Sequence, residues 1–201
     1  MNNNSLLPFH RCSAIIIAGG KSSRMKSDKK YLKINETILL DKVVSQMEEL
    51  FSDVIISTSP NSGVNSGKIK VVIDEFVDRG PLSGILSGLR GSKNDNNFII
   101  AVDIPEISPE LISEMYTYSE DYEIVVPESG KNKIEPLFGF YNKSIIPVIR
   151  KNLLMGENKI LKIFDETETK IIRMRNRNWL FNINTEEDYK NYLVYLKNQQ
   201  K

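Results

Sequence analysis

Gly19 and Gly20 are followed within nine residues by Lys21, Arg24, Lys26 and Lys29, interleaved with the hydroxyls of Ser22 and Ser23. With no side chain in the way, glycine lets main-chain N–H groups close directly on a bound anion. Four fixed positive charges beside such amides suit a triphosphate. The bland alternative is a strand followed by a basic loop that faces water, as charge runs usually do. Two better-known glycine loops do not fit. A Walker loop would need its first glycine at Ile15, and a dinucleotide fingerprint needs Gly-x-Gly-x-x-Gly, whereas here the glycines are adjacent and no third follows.

Other residues with chemical potential lie where hydrophobic runs end. Asp74 follows residues 69–73, and Asp103 follows residues 97–102 and precedes Pro105. At Asp103 a carboxylate can hold Mg²⁺ against phosphate oxygens, or can simply start a turn before proline. Gly80-Pro81 reads as a helix start whose free N–H groups could receive an anion or a base edge. Gly84 and Gly88, four apart, share a face of that helix and allow close approach of a ligand or of a neighbouring backbone. Asn182 and Asn184, two apart, would point to one face of a strand, where paired amides can meet a pterin, a base or a phosphate.

The elements that must position these residues alternate. Residues 14–18 form a continuous apolar run, as expected for a strand buried on both faces of a parallel sheet. Residues 31–34 read as a short extended piece. Ile38, Leu39, Val43, Val44, Met47 and Leu50 have helical spacing. Residues 54–57 and 69–73 read as strands, separated by a Gly, Asn and Ser-rich loop. Residues 97–102, 123–127 and 136–141 read as further strands, and 171–174 as an outer one. Helices are expected after Ser108-Pro109 with Leu111, Met115 and Tyr118 inward, over 142–154 interrupted by Pro147, over 157–164 with Ile160, Leu161 and Phe164 inward, and after Thr185 as N-cap, with Glu186, Glu187 and Asp188 in the first turn. Strand and helix alternation of this kind predicts a three-layer α/β/α fold with a mostly parallel sheet, ligands sitting at the carboxyl ends of the strands.

Residues 18–25, Ala-Gly-Gly-Lys-Ser-Ser-Arg-Met, with Asp28-Lys29 beyond them, resemble the N-terminal loop of the molybdenum cofactor guanylyltransferases, a branch of the Rossmann-like nucleotidyltransferases. Related cytidylyltransferases and sugar-nucleotide enzymes tend to have alanine where this chain has Gly19. Lys26 stands where the family usually has glycine. Gly80-Pro81-Leu82-Ser83-Gly84, Asp103-x-Pro105, Pro136-Leu137-Phe138 and Asn182-x-Asn184-Thr185 carry the resemblance from about residue 14 to 193. It implies transfer of GMP from GTP to the phosphate of molybdopterin (Mo-molybdopterin), with Mg²⁺. It implies catalytic roles for Arg24, Lys29 and Asp103, the last as metal ligand. GTP contacts are implied at Ile17, Ala18, Gly19, Gly20, Ser22, Ser23, Lys29, Ser57, Asp74, Gly80, Pro81 and Asp103, and acceptor contacts at Asn182 and Asn184. The loop carrying Lys131 and Lys133 could meet the acceptor phosphate, although the acidic Glu135 adjoins it. Two rivals stay open: a cytidylyl or sugar-nucleotide transferase of the same fold, and a nucleotide-binding regulatory protein without turnover.

Composition narrows the field. At 201 residues one core suffices, so residues 13–201 are read as one domain and 1–12 as a disordered tail. Twenty-seven Lys and Arg against 26 Asp and Glu leave no overall field to attract nucleic acid or acidic lipid. His10 is the only histidine, which argues against a histidine zinc site or a Ser-His-Asp triad. Cys12 is the only cysteine, so no internal disulfide forms, as suits a reducing cytoplasm. No apolar run reaches the ~20 residues of a membrane span, and the N-terminus lacks a secretion signal. Other cofactor-biosynthesis proteins and recipient molybdoenzymes are the implied protein partners. Arg173, Arg175 and Arg177 could form a basic edge for an anionic partner or merely a solvated one.

Overall fold

The computed structural model describes residues 8–19, 29–34, 36–64, 67–130, 133–173 and 181–199. The apolar run at the start is the central strand, β1 (Ser13–Ile17), and all five residues are buried. Strand geometry sends alternate side chains to opposite faces. Ala14 and Ile16 therefore join one core and Ile15 and Ile17 the other.

The small antiparallel pair β2 (Lys33–Ile34) and β3 (Thr37–Ile38) leads into α1 (Leu39–Glu48). Then come β4 (Asp53–Thr58), β5 (Lys70–Ile73), α2 (Gly80–Gly91), β6 (Asn96–Ala101) and α3 (Pro109–Tyr116). The second half contains β7 (Ile124–Gly130), β8 (Lys133–Ile134), β9 (Phe138–Asn142), α4 (Ile146–Leu154), α5 (Ile160–Ile163), β10 (Thr169–Arg173) and α6 (Glu186–Gln199). The large sheet runs β10-β7-β9-β6-β1-β4-β5, with β8 attached to β7. β1 pairs in parallel with both β4 and β6, while β9 is antiparallel to its two neighbours, β6 and β7, and β8 is antiparallel to β7. Helices α1, α3 and α6 supply the core on one face, and α2, α4 and α5 on the other. This is the expected three-layer α/β/α arrangement with a mostly parallel sheet.

Several local expectations change. In residues 8–12, expected in a disordered tail, Phe9 and Cys12 are buried while Pro8, His10 and Arg11 stay exposed: Phe9 is 4% exposed and stacks on Phe51, and its amide donates to the Leu50 carbonyl. Burying one aromatic ring contributes on the order of 2 kcal/mol, enough to hold a short segment down. Cys12 lies beside it at 1% exposure, and burial pushes its thiol up to about 12, which makes it unreactive. Pro147 does not interrupt a helix. Residues 143–145 form a 3₁₀ turn, and Pro147 sits in the first turn of α4, where its missing N–H costs nothing. The helix expected over 157–164 shrinks to the four residues of α5, which turn Ile160 and Ile163 inward and leave Leu161 half exposed. On α3 the buried face is Leu111, Ile112 and Met115, and the helix ends before Tyr118, which is only partly buried.

Candidate active site

The strand ends of β6, β1, β4 and β5 lie side by side, so the residues that follow each strand meet at one edge. Main-chain bonds fasten them: the Ala18 amide donates to Ser57, the Val102 amide to Ile17 and the Asp74 amide to Thr58. Gly19, Asp74 and Asp103 are thereby brought to neighbouring positions.

On the β4–β5 side, Gly19, Ser59, Pro60, Asn61, Asp74, Val77, Asp78, Arg79 and Gly80 line a cleft of about 390 Å³. Ser57 Oγ donates to Asp74 Oδ1 at 2.9 Å. Burial raises the Asp74 carboxyl above its ordinary value, and the Ser57 bond opposes that in part. The loop after Asp74 is anchored to α2 by two serines one turn apart: the Phe76 amide donates to Ser83 Oγ at 3.0 Å and the Glu75 amide to Ser87 Oγ at 2.9 Å. Gly80 opens α2 at φ +64 with Pro81 in the first turn, and Arg79 at the N-cap makes no side-chain cap. A Cβ on Gly88 would lie 2.4 Å from Ile15 Cγ2, so that glycine serves close packing on the sheet.

On the β6 side, Lys29 Nζ lies 3.2 Å from Asp103 Oδ2 and donates to Asn184 Oδ1 at 2.9 Å. Asn184 Nδ2 donates in turn to Asn182 Oδ1 at 2.9 Å. Residues 181–185 are not a strand, so the two asparagines meet through this bond and not through pleat geometry. Two contacts position the segment. The Ile183 amide donates to the Asp103 carbonyl, and Thr185 and Asp188 form a reciprocal capping box at the start of α6. Burial raises the Asp103 carboxyl, Lys29 pulls it back down, and the negative charge of Glu135 adds to the rise.

Four residues singled out from sequence, Lys29, Asp103, Asn182 and Asn184, are therefore one hydrogen-bonded group. Gly19, Ser57, Asp74 and Gly80 group around the adjacent cleft, while Pro81 follows Gly80 in α2. Ile17 and Ala18 are buried and act through the backbone bonds above. Gly20, Ser22, Ser23, Arg24, Lys26 and Lys131 lie outside the described residues, as do Arg175 and Arg177. Lys133 Nζ is 2.9 Å from Glu135 Oε1, so its charge is already countered. Arg173 Nε stands 3.9 Å from Glu128 Oε2. Sequence reasoning took Ser83 only as part of the Gly80–Gly84 motif and missed Ser87, although an i, i+4 serine pair on a helix that begins Gly-Pro is a signal that could find both. Among the described residues, no three His, Cys, Asp or Glu side chains cluster to hold a metal, and no helix is long and apolar enough to cross a membrane.

Asp74→Asn is expected to stabilise the protein. Because folding raises the Asp74 pKa, the folded state holds that proton more tightly; its contribution is full below the unfolded value near ~3.9 and is lost as pH rises through the folded value. An amide removes the burial cost and can still accept from Ser57. Tm at pH 7 should rise by roughly 2 °C, with the gap closing towards pH ~3. A less stable variant with the same deficit at both pH values would contradict this.

A family model described as MobA-like NTP transferase domain matches residues 14–171. The chain is 34% identical over 187 residues to a probable molybdenum cofactor guanylyltransferase of Carboxydothermus hydrogenoformans, covering 89% of this chain and 93% of that one. A probable molybdenum cofactor guanylyltransferase of Clostridium perfringens is 33% identical, covering 90% and 96%. The crystal structure of molybdopterin-guanine dinucleotide biosynthesis protein A from Archaeoglobus fulgidus superposes with a TM-score of 0.77 at 19% identity, covering 92% and 99%. The fold is that of an α/β nucleotidyltransferase. The chain belongs to the MobA-like NTP transferase family, and it is a nucleotidyltransferase.

Proposed function

We propose that this chain transfers GMP from GTP to the phosphate of molybdopterin and so makes the guanine dinucleotide form of the molybdenum cofactor. A phosphate oxygen of the pterin attacks the α-phosphorus in line, forming a P–O bond. The bond from the α-phosphorus to the bridging oxygen breaks, and its electron pair leaves with pyrophosphate. The attacking phosphate is already anionic at neutral pH, so no general base is needed, in keeping with a chain whose one histidine lies at position 10. The protein must hold two polyanions close together and neutralise charge developing on the leaving group.

The observation that carries this reading is the convergence of Lys29, Asp103 and Asn184 beside the Gly19–Asp74 cleft. Amides at Gly19, Gly20, Ser22 and Ser23 hold the phosphates, Arg24 and Lys29 meet charge on the α-phosphate and pyrophosphate, and Ser57, Asp74, Gly80 and Pro81 border the nucleoside. Asn182 and Asn184 face the acceptor. Asp103 offers hard carboxylate oxygens and is partly open, which suits Mg²⁺ held by one carboxylate together with phosphates and water, although Lys29, 3.2 Å from Oδ2, would have to share that carboxylate with the ion. Bound there, Mg²⁺ would neutralise charge on the phosphate oxygens. The names of the curated relatives favour guanylyl transfer over the cytidylyl and sugar-nucleotide alternatives. We place the reaction in the cytoplasm, with other cofactor-biosynthesis proteins and recipient molybdoenzymes as partners.

The test is pyrophosphate release from GTP with Mg²⁺ and molybdopterin, together with calorimetric binding of GTP, CTP and UTP. Release with GTP alone among the three supports the reading. A preference for CTP or UTP points to the transferase rival, and binding of GTP without release to the regulatory one.

A further inference from the structure

The loop that carries Asp103 is clipped to the last segment of the chain at two points. At the first, the Ile183 amide donates to the Asp103 carbonyl at 2.9 Å. At the second, three residues on, the Tyr192 hydroxyl of α6 donates to Glu106 Oε1, and Lys42 Nζ of α1 lies 3.4 Å from the same oxygen. Between the clips the backbone has little of its own to hold it. Residues 104–108 are in neither helix nor strand, the Ile104 amide donates back to Ala101, and Pro105 has no N–H to give. Glu106 is where α1 and α6 both take hold of that loop.

Tyr192 is fully buried, with its ring against Phe181 and Tyr195. Burial first, and the Glu106 carboxylate second, push its hydroxyl well above the ordinary tyrosine value, so it stays a donor. The segment leading into the same helix presents Asn184, which accepts from Lys29, and Lys29 reaches Asp103. Asp103, Lys29, Asn184 and Ile183 therefore close a ring of contacts whose shape depends on how α6 sits against residues 103–106. The Ile183 bond fixes one point of that fit and leaves the loop free to pivot about it; the Tyr192 bond fixes a second. We propose that Glu106 is a positioning residue for the transfer reaction: by accepting from Tyr192 it sets the spacing between the Asp103 carboxylate and the asparagine pair ahead of α6. It acts through Asp103, and the role rests on the reading of Asp103 and Asn184 as members of the transfer centre.

The experiment compares the wild type with Tyr192→Phe, Glu106→Ala, Glu106→Gln and the double variant of the first two. It reads Tm, the kcat and KM of pyrophosphate release from GTP with molybdopterin at saturating Mg²⁺, and Mn²⁺ binding in the presence of GTP. Tyr192→Phe removes one oxygen and keeps the ring, and the Tyr189 hydroxyl still donates to the Lys33 carbonyl, so α6 should stay docked. Its kcat and its Mn²⁺ affinity should each fall about tenfold, the scale seen when a partner that orients a metal ligand is lost. KM for GTP should stay within about twofold, because the Gly19–Asp74 cleft is built from other elements. Glu106→Ala should match Tyr192→Phe, and the double variant should be no worse than either. Glu106→Gln, whose amide oxygen still accepts from Tyr192, should keep at least about half of the wild-type kcat. If the bond only fastens a helix to the body, Tm drops in Tyr192→Phe while kcat and Mn²⁺ affinity hold, and the proposal fails. It fails too if Tyr192→Phe does not fold, or if Glu106→Gln loses as much as Glu106→Ala, since the charge facing Lys42 would then be what matters. A wild-type chain without turnover refutes the transfer reading instead, and the Mn²⁺ comparison then decides the role of Glu106.

Discussion

Lys29→Ala is expected to lower kcat/KM for pyrophosphate release from GTP by about 10² or more, the scale associated with losing one preorganised charge contact. Lys29 touches two partners far away in sequence, Asp103 and Asn184, so its ammonium is held in place before any substrate arrives. In the proposed reaction its loss takes a positive charge from the transferring phosphates, and it leaves Asp103 facing Glu135 without that counter-charge. Lys29→Arg should recover little, because a planar guanidinium cannot occupy the same point between a carboxylate and an amide. Near-normal turnover in Lys29→Ala would remove Lys29 from the transfer centre.

The second large effect belongs to Asp103→Asn, for which kcat/KM in Mg²⁺ should fall by about 10³, in the range of several kcal/mol of transition-state charge stabilisation. The change is nearly isosteric, and the Asp103 carbonyl still accepts from Ile183, so α6 should stay docked. A second measurement separates metal binding from misfolding. Mn²⁺ binding in the presence of GTP, followed by the loss of its free-ion resonance signal, should be strong for the wild type and weak for the variant. Retained Mn²⁺ binding with retained turnover would place the metal elsewhere.

How much of this was legible in the sequence depends on the range of the forces involved. β1, β4 and β6 each carry two or three adjacent branched apolar residues that are buried on both faces, a pattern suited to a central strand. The Gly80-Pro81 helix start is equally local, since proline and glycine fix backbone angles by themselves. Phe9 was misjudged because its asparagine-rich neighbours speak for solvent, whereas its partner Phe51 lies forty-two positions on and is invisible to local patterning. Ile163 lost its inward place to Leu161 in the reading for a similar reason: a single helical turn obeys its tertiary contacts more than its periodicity. At the site, residue types were readable and wiring was not. Asn182 and Asn184 stand together as anticipated, but Asn184 spends its oxygen on Lys29, a bond that no spacing rule predicts. Glu135, noted only as an awkward neighbour, proves to neutralise Lys133 and to press on Asp103.

The cleft around Gly19 and Asp74 is built from β1, β4, β5 and α2, all within the first ninety-one positions, whereas the bond between Lys29 and Asn184 spans 155. In sequence, β9 comes between them, the antiparallel strand through which β7 and β10 attach to β6. As the polypeptide leaves the ribosome, the strands that shape this cleft emerge long before the asparagines that complete the lysine's anchorage. Translation stopped before Asn184 would yield a chain lacking the bond that steadies Lys29.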